Sequence, residues 1–281
     1  MLSLCDYLAI APGADLAATL KQAVKQHGLT GQSCTTLMDL GSYHLLLAKT
    51  PDVPPDELRA AIRWQVKDSI DFHIDDAVLD VFDAPPSGAS GRQDSMYVVV
   101  CRSSVVEERA GLLQDAGISL GVIDIPELAL RNIAARLPQE QGGLALLHLA
   151  DQYGLITLCR KSTLYLARTL DVGYRQLQAA IASADSDRLA RLLEGIALEV
   201  QRSVDYYDSH FRMAPIHEIV LSPLPFEDAV LENTLRNNLG LLVRTLGIDE
   251  LVDGYRPVDQ SHEALCLLAV GAALRDETKR L

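Results

Sequence analysis

The chain has 281 residues, of which 48% are hydrophobic and 22% charged, and its formal net charge at pH 7 is −13. A chain of this composition folds into a globular protein with one large or two moderate cores. Nucleic acids and anionic lipid surfaces carry charge of the same sign. The composition therefore argues against both as direct partners and suits a basic protein partner.

The cysteines and the apolar runs indicate a cytoplasmic protein. The five cysteines are far apart and include no CxxC pair, so neither a zinc site nor a disulfide framework is expected, and a reducing compartment is the simplest interpretation. The first residues, MLSLCDYLAIAPG, contain Asp6 and no basic stretch, unlike a signal peptide. The longest apolar run, residues 264–274, is too short to cross a bilayer. Any association with a membrane is therefore expected to come through a partner.

The first half of the chain predicts alternating helices and strands. Helices are predicted over residues 15–27, 56–70 and 104–116, and strands over residues 34–39, 43–49, 77–83 and 96–101. The order strand–helix–strand between residues 96 and 125 favours a parallel pair of its two strands. Residues 84–94, APPSGASGRQD, form the one loop of low complexity, which is expected to be mobile and dispensable.

The chain is organised around residues 144–173, LALLHLADQYGLITLCRKSTLYLARTLDVG, which predict three short strands and the start of a helix. Before them, VIDIPELALRNIAARLP (residues 122–138) predicts a buried strand and a helix, which Pro138 and two glycines end. This break is expected to be the seam between two lobes. Further helices are predicted over residues 174–183, 187–210, 227–239 and 262–275, and strands over residues 216–221 and 241–245.

Four segments carry a resemblance to a known family. They are RWQVKDSIDF (residues 63–72), IDIPELALRN (residues 123–132), LYLAR (residues 164–168) and EVQRSVDYY (residues 199–207). In this order they resemble the PilM family, the actin-like cytoplasmic proteins of type IV pilus assembly. Within that family the resemblance is to the branch that serves the mannose-sensitive haemagglutinin (MSHA) pilus.

The resemblance implies an α/β, actin-like (ribonuclease H-like) fold with two lobes. The first lobe would comprise residues 1–137, with a small inserted subdomain at about residues 42–100. The second lobe would comprise residues 142–257, and residues 258–281 would form a C-terminal helix that packs near the seam. The N-terminal hairpin of the family is not recognisable at the start of this sequence.

The nucleotide site of actin-like ATPases has three elements, and each departs from the family pattern here. The first hairpin, an apolar strand ending in Asp-x-Gly, is missing or lies upstream of Met1. At the second hairpin, Asp-Ile-Gly corresponds to His148, Leu149 and Ala150, so the metal-binding carboxylate is replaced. The glycine-rich adenosine turn corresponds to residues 222–226, SPLPF, whose two prolines lack N–H donors. The resemblance therefore implies a degenerate nucleotide site.

Glu199 and Arg202 are the remaining candidates for a vestigial nucleotide cleft, since the family places their helix opposite the nucleotide base. Their i,i+3 spacing also suits a surface ion pair. His148, within an apolar strand, is typical of a hydrogen-bonded core histidine. The sequence has no HExxH, GxSxG or P-loop pattern. No catalytic residue, metal site or cofactor is therefore predicted, and the chain is not expected to be an enzyme.

The predicted helix at residues 56–70 has one apolar stripe and one aromatic residue that stands apart from it. The stripe consists of Leu58, Ala61, Ile62, Val66 and Ile70. Trp64, the only tryptophan, falls about 160° from the centre of this stripe. It either packs against a second element or anchors a partner.

The resemblance implies what such a partner is. In the PilM family, a groove beside the inserted subdomain takes the cytoplasmic tail of a PilN-like inner-membrane protein as an added strand. The candidate partner-binding residues are Trp64, Arg63, Lys67, Leu45 and Leu47. The strand at residues 43–49 alternates poorly between apolar and polar residues, as a strand covered on both faces does.

The expected function is that of a non-catalytic cytoplasmic scaffold of MSHA-type pilus biogenesis, held at the inner membrane by a PilN-like partner. A homo-oligomer or ring is compatible with this role. Two alternatives stay open. One is a nucleotide-binding actin-like ATPase of pilus assembly, and the other is a GspL-like cytoplasmic domain of type II secretion.

Overall fold

A computed structural model describes residues 5–11, 13–54, 56–86, 95–211, 213–226, 229–253, 255 and 260–276. The helices are α1 (Leu16–Gln26), α2 (Leu58–Val66), α3 (Ser103–Asp115), α4 (Pro126–Ala134), α5 (Tyr174–Ala182), α6 (Ser186–Phe211), α7 (Val230–Leu239) and α8 (Gln260–Ala273). The strands are β1 (Ser33–Leu37), β2 (Tyr43–Lys49), β3 (Ala77–Asp83), β4 (Ser95–Arg102), β5 (Ser119–Asp124), β6 (Leu144–Leu149), β7 (Gly154–Arg160), β8 (Thr163–Leu170), β9 (Glu218–Leu221) and β10 (Leu242–Thr245). The loop that the sequence predicts to be mobile, residues 84–94, lies mostly outside the described residues.

The described residues form two compact units. The amino-terminal unit lies within Leu8–Pro126, and the carboxy-terminal unit lies within Glu127–Arg275 together with the segment up to Tyr7. The lobe boundaries near residues 137, 142 and 258 stay predictions.

The amino-terminal unit contains two sheets. β1 and β5 pair in parallel, while β2, β4 and β3 form an antiparallel sheet in that order, which we call the subdomain sheet. The prediction of a parallel pair between residues 96–101 and 122–125 is wrong. Both edges of β4 are occupied by β2 and β3, so β5 pairs with β1 instead.

The inner face of the subdomain sheet packs against α2. Ile62 and Val66 of the helix are buried against residues that alternate along the three strands. These strand residues are Leu46, Ala48, Ala77, Leu79, Val81, Met96, Val98 and Val100. The helix is shorter than the predicted range 56–70, because the chain tightens into a 3₁₀ turn over Lys67–Ser69 and is extended at Ile70.

The carboxy-terminal unit is built around a five-stranded sheet of order β10–β9–β6–β7–β8. β6, β7 and β8 are the three strands predicted from residues 144–173 and form an antiparallel meander, while β9 and β10 run parallel to β6. Every residue of β6 is buried, as its continuous apolar sequence indicates. Leu177 of α5, Ile196 of α6 and Leu235 of α7 pack in the same core.

A close contact between α4 and α8 explains part of the segment IDIPELALRN. The Asn132 side-chain amide donates a hydrogen bond of 3.0 Å to the carbonyl of Gly271. A Cβ on Gly271 would lie 2.4 Å from the carbonyl oxygen of Ala129, so only glycine lets the two backbones approach this closely. This part of the segment therefore serves packing within the carboxy-terminal unit.

Candidate functional site

The positions that the resemblance assigns to the second hairpin and the adenosine turn lie at the carboxyl ends of β6 and β9, which are parallel neighbours. This end of a parallel sheet is where α/β proteins bind their ligands. His148 lies near the end of β6, and Ser222 directly follows β9. Their side chains are 4% and 3% exposed, and His148 Nδ1 lies 3.1 Å from Ser222 Oγ in a hydrogen bond. A buried, hydrogen-bonded imidazole thus stands where the resemblance would place a metal-binding carboxylate.

Burial keeps this imidazole neutral. It lowers the pKa of His148 to about 4, because the charged form is disfavoured away from water. The side chain is therefore a hydrogen-bonded part of the core, as the apolar sequence around it indicated.

Two backbone N–H groups at the same positions are used within the fold. Nucleotide phosphates bind unpaired backbone N–H groups. Here the N–H of Ala150 donates to the carbonyl of Tyr153 at 2.8 Å, and that of Ser222 donates to the carbonyl of Leu147 at 2.9 Å. The two prolines of residues 222–226 have no N–H to offer. Four of the peptide groups at these positions therefore cannot donate to a phosphate, two because their N–H groups are used within the fold and two because they belong to prolines.

Glu199 and Arg202 form an ion pair that includes a third residue. Glu199 Oε1 lies 2.5 Å from Arg202 Nη1, and Glu199 Oε2 lies 3.2 Å from Arg168 Nη1. Arg168 belongs to β8, so the carboxylate joins α6 to the edge of the five-stranded sheet. All three side chains remain partly exposed, and such pairs contribute little to stability.

The described part of the chain contains neither a metal-binding cluster nor a membrane-spanning helix. No group of three or more histidine, cysteine, aspartate or glutamate side chains there is arranged to hold a metal ion. Among the same residues, no helix is both long enough and apolar enough to span a membrane.

Trp64 projects from the outer side of α2. Its side chain is 70% exposed, whereas Ile62 on the opposite side of the helix is fully buried. The Lys67 ammonium lies 5.1 Å from the centre of the Trp64 ring, a cation–π contact at the surface. An exposed tryptophan of this kind is typical of an interface residue.

Arg63 is placed differently from its neighbour Trp64. Its guanidinium donates to the carbonyl of Ala77 at 3.0 Å and to the carbonyl of Ile74. Arg59, one turn earlier, lies 3.4 Å from the Asp80 carboxylate. Both arginines therefore reach from α2 to β3 or to the turn before it, and Arg63 binds backbone carbonyls there.

Leu45 and Leu47 lie on the outer face of the subdomain sheet, which is the face opposite α2. They belong to two rows across the strands, Asp80–Val99–Leu45 and Phe82–Tyr97–Leu47. Leu47 is 62% exposed, so the prediction that β2 is covered on both faces is wrong. The five predicted partner-binding residues thus fall into three groups. Trp64 of α2 and Lys67 of the following 3₁₀ turn are exposed, Arg63 is bound to β3, and the two leucines lie on the other face of the sheet.

Sequence reasoning missed Phe82 and Tyr97, whose rings stack on this outer face with centroids 5.0 Å apart. The signal was present, because residues 77–83 and 95–102 carry apolar residues at both odd and even positions. Strands of this pattern have two apolar faces. α2 covers one of them, and Phe82, Tyr97 and Leu47 lie on the other.

A search against curated protein sequences found no significant match. Two solved structures resemble the chain in fold. The PilM–PilN type IV pilus biogenesis complex matches with a TM-score of 0.71 and 22% identity, covering 94% of this chain and 88% of that chain. The cytoplasmic domain of EpsL, an inner membrane component of the type II secretion system of Vibrio cholerae, matches with a TM-score of 0.50 and 13% identity, covering 93% and 82%. The fold is thus the actin-like, two-lobed α/β fold that the resemblance implied.

The sequence also matches a family model. Residues 10–186, more than half of the chain, match the model described as type IV pilus assembly protein PilM. This region contains the subdomain sheet, α4 and the meander of β6 to β8. The chain therefore belongs to the PilM family of type IV pilus assembly proteins.

Proposed function

We propose that the chain is a non-catalytic cytoplasmic scaffold of type IV pilus biogenesis, of the MshI branch that serves the MSHA pilus. In this role its inserted subdomain binds the cytoplasmic tail of a PilN-like inner-membrane protein, which holds the scaffold at the membrane. Membership of the PilM family supports the pilus role. The MshI assignment rests on the segments RWQVKDSIDF and IDIPELALRN.

The observation that carries the non-catalytic assignment is the buried contact between His148 and Ser222. It joins two of the three elements of the degenerate site, and it places an imidazole where the family pattern has the metal-binding carboxylate. Two further features favour the non-catalytic assignment. The prolines of residues 222–226 have no N–H to donate to a phosphate, and the Ala150 N–H is used in an internal hydrogen bond. Positioned donors and a metal ion supply most of the affinity and catalysis in phosphoryl-transfer enzymes, so their loss favours a scaffold over an ATPase.

Mg-ATP is expected to bind weakly or not at all. Without phosphate-cradling N–H groups, the interaction that dominates nucleotide affinity is absent. Isothermal titration calorimetry of the purified chain with Mg-ATP should show no site of micromolar affinity. A known nucleotide-binding actin-like ATPase titrated in parallel is the positive control. A micromolar site would instead support the alternative of an ATPase.

The tail of the partner is expected to need Trp64. Aromatic anchors at interfaces typically contribute about 2 kcal/mol or more, so Trp64→Ala should weaken binding roughly thirtyfold. A synthetic peptide of the PilN-like protein's cytoplasmic tail is titrated against both forms, with calorimetry as the readout. In the unchanged chain, the emission of the single tryptophan should shift on binding.

Leu16→Ala is the matched control, because it truncates a large apolar side chain, 47% exposed, on α1 rather than α2. It should bind the tail as tightly as the unchanged chain. Equal affinity in a folded Trp64→Ala variant would place the tail elsewhere on the protein.

The likeness to the EpsL domain concerns the fold alone, and the family match favours pilus assembly over type II secretion. The scaffold is therefore preferred to the GspL-like alternative.

A further inference from the structure

The segment before Leu8 lies against α8 within the carboxy-terminal unit. The Cys266 thiol of α8 donates a hydrogen bond to the carbonyl of Asp6, with a sulfur–oxygen distance of 3.6 Å. One turn earlier on α8, His262 Nε2 lies 3.7 Å from the carboxylate of Asp6. These two contacts hold Asp6 beside the helix.

The position of Asp6 brings two thiols together. Cys5 precedes Asp6 in the chain, and its side chain makes a hydrogen bond with the thiol of Cys266. Sulfur atoms in such a contact reach bonding distance by a small change in the side-chain torsions of the two cysteines. The two cysteines come from opposite ends of the chain, so their spacing alone could not predict the pair.

The two thiols differ in their access to water. Cys5 is half-buried, whereas Cys266 is only 4% exposed. Burial, together with the contact with Cys5, raises the pKa of Cys266 to about 12, so this thiol is protonated near neutral pH and a dissolved oxidant reaches Cys5 first. Once Cys5 has reacted, its hydrogen bond and its charge no longer raise the pKa of Cys266. An accessible cysteine beside a second one that can resolve it is typical of a redox-sensitive pair.

We propose that Cys5 and Cys266 form a reversible disulfide under oxidising conditions, which ties the segment before Leu8 to α8. The oxidant is a low-molecular-weight disulfide such as oxidised glutathione. The Cys5 thiolate attacks one sulfur of this molecule, its S–S bond breaks, and one glutathione leaves and takes up the proton that Cys5 has lost. The Cys266 thiolate then attacks the Cys5 sulfur and releases the second glutathione, which takes up the proton from Cys266. Two electrons and two protons thus pass from the cysteines to the oxidant.

The disulfide closes a loop that spans almost the whole chain. A cross-link over so long a loop restricts the unfolded chain strongly, which favours the folded state. Much of α8 is buried, and its Gly271 packs closely on Ala129 of α4. Oxidation therefore acts as a reversible switch that stabilises α8 within the carboxy-terminal unit. Transient disulfides of this kind are compatible with a reducing compartment.

The test exposes the full chain to an excess of oxidised glutathione and then identifies the remaining thiols by alkylation and mass spectrometry. The wild-type chain should lose the thiols of Cys5 and Cys266 together, and dithiothreitol should restore both. Cys5→Ser should keep Cys266 as a free thiol, whereas Cys266→Ser should hold glutathione on Cys5 as a stable mixed disulfide. The matched control is Cys34→Ser, which changes another half-buried cysteine in the amino-terminal unit and should still form the bond.

Hydrogen exchange in peptides that cover α8 is the second readout. Exchange should be at least about tenfold slower in the oxidised wild-type chain than in the reduced chain. It should be equal under both conditions in Cys5→Ser, which should fold because the position is half-buried. Glutathione that stays on Cys5 of the wild-type chain while Cys266 remains a free thiol would overturn the proposed bond. A Cys5–Cys266 disulfide that leaves exchange in α8 unchanged would overturn the switch of stability.

Discussion

Lowering the pH from 7 to 4 should reduce the free energy of unfolding of the carboxy-terminal unit by about 3 kcal/mol through His148 alone. Burial lowers the pKa of His148 from an ordinary value of 6.5 to about 4. Between these two values the unfolded chain binds a proton that the folded chain does not. The His148 contribution to stability is therefore present above pH 6.5 and is lost as the pH falls towards 4.

The change is measured as the difference between the unchanged chain and His148→Gln, which keeps a polar side chain but does not titrate. Hydrogen exchange in the peptide that covers β6, corrected for intrinsic rates, reports the stability of the carboxy-terminal unit. Tryptophan fluorescence is not used for this purpose, because Trp64 lies in the amino-terminal unit. His73→Gln, which removes an exposed histidine from the amino-terminal unit, is the control for altered charge. A pH dependence that His148→Gln leaves unchanged would mean that water reaches the imidazole.

The elements that the sequence predicted best are those with long apolar runs or a clear helical period. β6, β7 and β8 follow from three apolar stretches separated by polar turns. Ile62 and Val66 are buried on α2, and Trp64 lies on the opposite side of the helix, as the 100° spacing predicts. In both cases the local pattern and the tertiary environment agree, so little information beyond the sequence was needed.

The features that the sequence did not predict depend on contacts between distant residues. The order strand–helix–strand suggested that β4 and β5 pair, but the choice of neighbour was decided by β2 and β3, which occupy both edges of β4. The engagement of the Ser222 N–H depends on the carbonyl of Leu147, which belongs to a different strand. Local spacing does not encode such partners.

The predicted partner site shows the same limit. Arg63, Trp64 and Lys67 are near each other in sequence, yet Arg63 turns towards the backbone of β3 while Trp64 and Lys67 face solvent. Leu45 and Leu47 lie on the sheet face that α2 does not cover. Helical geometry fixes which side of α2 a residue occupies, but the sheet register decides on which face the leucines lie.

Ile62→Ala should cost about 3 kcal/mol of stability in the amino-terminal unit, within the range of 2–5 kcal/mol typical of such truncations in a core. Ile62 is fully buried between α2 and the inner face of the subdomain sheet. The loss combines the transfer free energy of the removed methyl and methylene groups with the cavity that remains. In urea, the fluorescence of Trp64 should report this as a lower midpoint of unfolding, because Trp64 lies on the same helix.

Trp64→Ala, two residues away, removes a larger side chain and should change the stability of the unit by no more than about 0.5 kcal/mol. Trp64 is 70% exposed, so little apolar area leaves the core. The lost contact with Lys67, worth about 0.5–1 kcal/mol, is offset in part by the higher helix propensity of alanine. Hydrogen exchange in peptides that cover β4 compares the two variants without the tryptophan signal. Equal losses of protection would mean that Trp64 packs against another part of the protein, and the Trp64→Ala binding experiment would then report folding rather than contact with the tail. A loss confined to Ile62→Ala leaves Trp64 free to act as the anchor of a partner.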